Sequence, residues 1–249
     1  MPDPQPPAWS EAELARDPHA AADKPDRVRS MFAAIAPAYD LNNRLHSMWR
    51  DQAWRRFAVR ASGLKPGQTV IDVACGTGDL SLAFARAGAG RVIGVDFTIE
   101  MLHVARERKS HPSITYVQGD AQRLPLADSC ADVVSIAFGI RNVQDVDRAL
   151  AEVRRVLRPG GRLVVLEFCE PRIGLVRWFN NLYCRQIMPR TATWISGDRS
   201  GAYKYLPRSV ETFLSPEQLQ GKVVGAGFAD AHFYPLTLGI CGCTVATAK

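Results

Sequence analysis

Residues 70–79 read Val-Ile-Asp-Val-Ala-Cys-Gly-Thr-Gly-Asp, an apolar run that enters Gly76-x-Gly78 and then a helix start. Glycine lets a backbone turn tightly and lets a ligand come close to it. In doubly wound sheets such a ligand lies at the carboxyl ends of the strands. Asp96 follows Gly78 by eighteen residues and ends the next strand-like run, where a carboxylate can accept hydrogen bonds from ribose hydroxyls. A nicotinamide fold shares both features but usually adds a third glycine. Here that position is Ser81, and Asp79 at the helix start would repel a pyrophosphate from the helix's anion site. A cationic amino-acid sulfonium fits better, with Asp72 close by for its ammonium group. Gly119-Asp120-Ala121 ends the third strand; Asp120 can accept from an adenine amino group or merely form a turn.

These residues need a scaffold, and the middle of the chain alternates β-type with helical runs. Thr69–Ala74, Arg91–Asp96, Ile114–Gly119, Asp132–Phe138 and Gly161–Phe168 are rich in Val and Ile and nearly continuously apolar. That is the pattern of parallel strands covered on both faces. Helices are expected over Asp79–Ala87, Thr98–Arg108 and Asp145–Leu157, with Pro159-Gly160-Gly161 turning the chain into the fifth strand. Two more strands, near Ala229–Leu236 and Ile240–Ala248, read as an antiparallel hairpin at the sheet end. Ser215-Pro216-Glu217-Gln218 carries the signature of a capping box. The fold class expected is α/β.

The flanks differ. Residues 1–24 hold Pro2, Pro4, Pro6, Pro7 and Pro18 with few large apolar residues and read as a disordered tail. Leu45, Met48, Trp49, Ala53 and Phe57 recur at helical spacing, with Arg44, Arg55 and Arg60 on other faces, which predicts a basic amphipathic helix. Residues 169–209 break the alternation with Trp178, Phe179, Tyr183, Trp194, Tyr203 and Tyr205 among arginines, and read as an inserted cap.

The 249 residues can bury one sizeable core. The longest apolar runs, such as Val133 to Ile140, fall far short of the ~20 residues of a membrane span. A Pro-rich, acidic N-terminus without a basic segment and apolar core is no secretory signal, so the cytoplasm is the expected compartment. The six cysteines form no C-x-x-C pair and read as buried thiols, with no metal expected. A net charge of +6 favours an anionic partner, either nucleic acid or a membrane face.

At this point the chain resembles a named group, the UbiE/MenG-type quinol C-methyltransferases, over about residues 28–249. Residues 32–42 (Phe-Ala-Ala-Ile-Ala-Pro-Ala-Tyr-Asp-Leu-Asn) look like that family's N-terminal motif, and Asp72 to Asp79 like its glycine loop. Phe138-Gly139-Ile140-Arg141-Asn142-Val143 looks like its quinone-specific signature, and Tyr203-Lys204-Tyr205-Leu206-Pro207-Arg208-Ser209 like a further segment. The glycine loop is common to Rossmann-type methyltransferases; the other segments are far narrower. The resemblance implies a Rossmann-like class I methyltransferase, a seven-stranded mostly parallel sheet over 25–249, with lid helices at 27–62 and the cap at 169–209. It implies S-adenosylmethionine as methyl donor, with contacts at Gly76, Thr77, Gly78, Asp96, Asp120 and Ala121. Tyr39 and Asp40 would close over the donor, Asp40 standing among the catalytic candidates. Ala137 occupies a position where relatives often carry serine, leaving at most a backbone contact.

A ring carbon becomes nucleophilic when a neighbouring hydroxyl loses its proton. Arg141 would stabilise the resulting phenolate, and Asn142 would hydrogen-bond a ring oxygen. His46 is a candidate general base on pH grounds, though a lone histidine in a helix is more often a packed or surface residue. The partners expected are a polyprenylated quinol, a transiently touched anionic membrane surface with peripheral attachment, and a second copy in a homodimer, without nucleic acid. The rival reading is a methyltransferase of another small molecule or of RNA. No Asn-Pro-Pro-Tyr-like motif follows the fourth strand to support RNA-base chemistry.

Overall fold

A computed structural model describes residues 8–196 and 200–249. Seven strands form one sheet in the order β3-β2-β1-β4-β5-β7-β6. They are β1 (Thr69–Val73), β2 (Arg91–Asp96), β3 (Ile114–Gln118), β4 (Ala131–Ala137), β5 (Leu157–Phe168), β6 (His232–Leu236) and β7 (Cys241–Thr247). Strands β1 to β5 pair in parallel, and β7 runs antiparallel to both β5 and β6. Every expected strand is present with its ends within a few residues of the prediction. The chief exception is β5, which begins at Leu157 and carries Pro159-Gly160-Gly161 inside it, with a register shift against β4 between Ala131 and Val133.

The helices are α1 (Glu11–Leu14), α2 (Lys24–Ile35), α3 (Tyr39–His46), α4 (Arg50–Ala61), α5 (Asp79–Arg86), α6 (Ile99–Arg108), α7 (Val146–Val156), α8 (Gly174–Leu182), α9 (Met188–Ser196), α10 (Ala202–Glu211) and α11 (Pro216–Gly225). Helix α7 shows why the sequence folds this way. Asp145 caps it by accepting from the Arg148 amide, and Ala149, Leu150, Val153 and Val156 make one buried stripe. Each large aliphatic side chain so buried contributes about 1.5–3 kcal/mol. In α11 the Ser215–Gln218 capping box is formed in both directions.

Two expectations fail. The basic amphipathic helix is in fact two helices, because Met48 (φ 51°) and Trp49 (φ 58°) are both left-handed and break the chain between α3 and α4. Its supposed apolar stripe is largely outside: Met48 is 77% exposed and Trp49 57%, while Trp54 and Arg55 are buried. The tail also differs. Its first seven residues lie outside those described, but Trp9 is 3% exposed and stacks on Tyr205 with ring centroids 4.9 Å apart. Leu14 is buried too, and Lys24 Nζ donates to the Val143 carbonyl at 2.7 Å. Two apolar anchors and one buried amine hold a segment whose proline content argued for disorder.

Candidate active site

The strand order reverses at β1, between β2 and β4, and a chamber opens there at the carboxyl ends of β1 to β4. It is lined by Ala74, Gly76, Asp96, Asp120, Ala121, Ala137 and Asn142, with Tyr39 and Phe32 from the lid helices. Gly76 has φ +55°, and only Tyr39 comes within 4.0 Å of where a Cβ would sit, so its bare backbone faces open space. Asp96 accepts from the Gly76 amide at 2.7 Å and the Thr98 amide at 2.9 Å. Burial pushes its carboxyl up to about 6, against the pull of those amides. Each oxygen keeps a lone pair for a ligand hydroxyl.

Several expected ligand residues are held by contacts within the protein. Asp72 does not line the chamber: its oxygens accept from Ser135 at 2.7 Å and Ser81 at 2.6 Å, and burial pushes it up to about 6. It pins α5 to β4 beneath the loop. Gly78 is fixed by packing, since its φ is +84° and a Cβ would stand 2.3 Å from Tyr116 Oη. Thr77 is buried and donates to Asp40 Oδ1 at 2.5 Å. Asp40 lines neither this chamber nor the next; Lys109 bridges it to Asp79, at 3.2 and 2.5 Å. Arg44 and Gln52 also reach Asp79. Asp40 and Asp79 therefore clamp the lid helices onto the glycine loop. Burial raises the Asp79 carboxyl, but the charge of Arg55 first, and then Lys109 and Arg44, outweigh it and hold Asp79 below the usual carboxylate range.

A second, larger cavity of about 350 Å³ adjoins the first. Phe32, Tyr39 and Phe138 line both, so the two spaces meet at these three rings. The cavity runs between α3, α4 and the cap, and is mostly apolar, with Trp54, Phe168 and Met188 in its wall. Arg141 lines it and is 5% exposed. Its Nη1 donates to Glu167 Oε1 and to the Phe138 carbonyl, both at 2.7 Å, and its Nε to Ser209 at 3.4 Å. The guanidinium is therefore not a bare cation but half of a buried ion pair. Burial pushes Glu167 up while Arg141 opposes it.

Asn142 faces the first chamber, not the larger cavity, and Tyr205 Oη donates to its Oδ1 at 3.0 Å. His46 borders the larger cavity, with Nδ1 2.9 Å from Tyr183 Oη and its pKa lowered by burial. The backbone is strained where the two spaces meet: Ala74 (φ 52°) and Phe138 (φ 57°) are left-handed, and a Cβ on Gly139 would lie 2.4 Å from that of Ala74. Such strain concentrates at functional sites.

Sequence reasoning missed Glu167, Lys109, Arg55, Phe97, Thr98 and Gln122. The last three line the first chamber just beyond strand ends already recognised. An acidic residue near the end of an otherwise apolar strand was the available signal for Glu167.

Comparison with known proteins shows the fold and the family. Among solved structures, a SAM-dependent methyltransferase from Thermotoga maritima matches with a TM-score of 0.62 at 20% identity, over 89% of this chain and 99% of that one. A relative from Deinococcus radiodurans named demethylmenaquinone methyltransferase is 44% identical over 223 residues, covering 88% of this chain and 92% of its own. One from Teredinibacter turnerae, named ubiquinone/menaquinone biosynthesis C-methyltransferase UbiE, is 40% identical over 88% of this chain and 90% of its own. The family description "ubiE/COQ5 methyltransferase family" matches residues 20–248, and the chain belongs to that family.

Proposed function

We propose that the protein methylates a ring carbon of a polyprenylated quinol with S-adenosylmethionine as donor. The observation that carries this reading is the meeting of two unlike spaces at Tyr39 and Phe138. One has the polar strand ends and Asp96; the other is apolar and holds Arg141. The first fits the donor: Gly76 offers bare backbone, Asp96 a buried acceptor for ribose hydroxyls, and Asp120 an acceptor at the end of β3. The donor supplies an electrophilic methyl group. This chain's residues supply position and charge.

Arg141 holds the ring oxygen beside the acceptor carbon and favours its deprotonated form through Nη2, which none of the described hydrogen bonds uses. Because Glu167 already balances the guanidinium, this help is a directed hydrogen bond within an ion pair more than a free positive charge. The donor would supply the methyl group to the ring carbon as its bond to sulfur breaks; the proton lost from that carbon would restore the ring hydroxyl, so that the hydroxyl's original proton is the one released to water. Tyr39 and Phe138 exclude water at the junction, while Asn142, steadied by Tyr205, braces the donor side. Asp40 is a positioning residue. The names of the relatives include both menaquinone and ubiquinone biosynthesis; we favour demethylmenaquinol.

The acceptor is greasy, and α8 presents Leu175, Trp178 and Phe179 outward at 68%, 59% and 55% exposure. Its other side contributes Asn180 and Asn181 to the larger cavity. With Arg177 exposed on the same helix, this stripe suits the headgroup region of an anionic membrane. No helix among the described residues is long and apolar enough to cross one. The direct assay offers a prenylated naphthoquinol and a benzoquinol with labelled methyl donor. Label on a ring carbon is expected; transfer to neither quinol overturns the reading.

A further inference from the structure

Arg141 is one of two buried guanidinium groups in the wall of the larger cavity. The other is Arg55 on α4, 7% exposed. Its Nη1 donates to Asp51 Oδ2 at 2.9 Å and to the Asp51 carbonyl at 3.2 Å. The two arginines are placed alike. Arg55 lies over the Phe138 ring at 5.4 Å, Arg141 over the Phe168 ring at 5.6 Å, and those two rings are 4.6 Å apart. Each is balanced by its own buried carboxylate, Asp51 or Glu167. Both charges act on the Tyr39 hydroxyl: desolvation pushes it up, and a hydrogen bond with Asn43 and then the two guanidinium groups pull it back.

The Arg55 side of the cavity is also where hydrogen bonds are missing. Arg55 Nε is buried without a partner among the described residues, and so are Asn42 Oδ1 and His46 Nε2 on α3. All three side chains line the cavity. A buried polar atom left unpaired costs stability, and native proteins leave few. These three atoms are themselves enclosed, so a ligand reaches Arg55 through Nη2, which, like Nη2 of Arg141, none of the described hydrogen bonds uses. A quinol ring carries two oxygens on opposite edges, and the cavity offers two guanidinium groups flanking one aromatic pair.

We propose that Arg55 is a second substrate-binding residue: it holds the ring oxygen next to the prenyl-bearing carbon, while Arg141 holds the one next to the acceptor carbon. The proposal rests on the quinol reading above. It makes the enzyme selective for rings with two para oxygens, because a ring lacking one leaves a buried guanidinium unsatisfied.

The test measures binding to the full-length protein saturated with S-adenosylhomocysteine. Its ligands are a short-tailed prenyl naphthoquinol and the two naphthols that each lack one ring hydroxyl. In the wild type, loss of either hydroxyl should weaken binding about tenfold or more. In Arg55→Gln, loss of the hydroxyl next to the prenyl-bearing carbon should cost nothing further, while loss of the other should cost as before. Should the single variant melt early because Asp51 is stranded, the pair Asp51→Asn with Arg55→Gln removes both charges and carries the same prediction. If both hydroxyls matter as much in the variant as in the wild type, or if the wild type ignores the one assigned to Arg55, the residue is only a brace for α4 and the proposal is wrong. If the naphthoquinol is neither bound nor methylated, the quinol reading itself fails.

Discussion

Tyr205 Oη donates to Asn142 Oδ1 at 3.0 Å, so a cap helix steadies a loop that lines the donor chamber. Trp9 stacks on the same ring. Tyr205→Phe keeps the stacking and loses the bond. We expect it to cost about 0.5–1.5 kcal/mol of stability and to raise the KM for S-adenosylmethionine roughly three- to tenfold. An unchanged KM would mean that Asn142 needs no brace.

Asp96 makes donor binding depend on pH. Its carboxyl sits at about 6 in the free protein, and ribose hydroxyls donate to the ionised form. Affinity should be full above pH ~6 and fall by up to about tenfold per unit below it. Stability of the free protein moves the other way. A carboxyl raised in the folded state stabilises below its unfolded value of 3.8 and loses that contribution as pH rises through about 6. Asp96→Ala should weaken donor binding by roughly 1.5–3 kcal/mol. Calorimetry across pH 5 to 8 (about one unit below the inflection and two above) reads both effects; a flat profile in the wild type argues against an ionised Asp96 in the complex.

The two loop glycines should separate fold from function. Gly78→Ala meets Tyr116 and keeps a left-handed φ, so denaturant unfolding should show a loss of at least about 2 kcal/mol. Gly76→Ala has room and should cost only about 1–2 kcal/mol while impairing donor binding more. The reverse ranking would place the ligand against Gly78.

Replacing Trp178 and Phe179 with Ser should reduce binding to anionic vesicles, and binding of the wild type should weaken with salt. Equal binding to neutral vesicles, or no binding, removes the interfacial role of α8.

Much of this was legible in the residues. Runs of Val and Ile marked β1, β2 and β4 because buried parallel strands leave no room for polar alternation, and Asp145 and Ser215 announced helix starts by chemistry. What stayed hidden depends on contacts distant in sequence. Nothing near Asp72 says that Ser81 and Ser135 hydrogen-bond both its oxygens, or that Thr77 donates to Asp40. The break at Met48-Trp49 puts two bulky residues in left-handed backbone, against their local preference. The packed segment after residue 7 was misread because composition counts prolines and cannot see that Trp9 finds Tyr205.

The central claim is that Arg141 serves the chemical step. The decisive measurement compares turnover and S-adenosylmethionine affinity in Arg141→Ala, with Arg141→Lys beside it. The guanidinium's directed hydrogen bond is stronger to an anionic ring oxygen in the transition state than to the neutral quinol, so turnover should fall on the order of 100-fold or more. Lysine should rescue only in part because it lacks the planar fork. Donor affinity should stay near that of the wild type, since Arg141 lines only the acceptor cavity. Normal turnover in the alanine variant, or a defect that vanishes at saturating S-adenosylmethionine, would contradict the account.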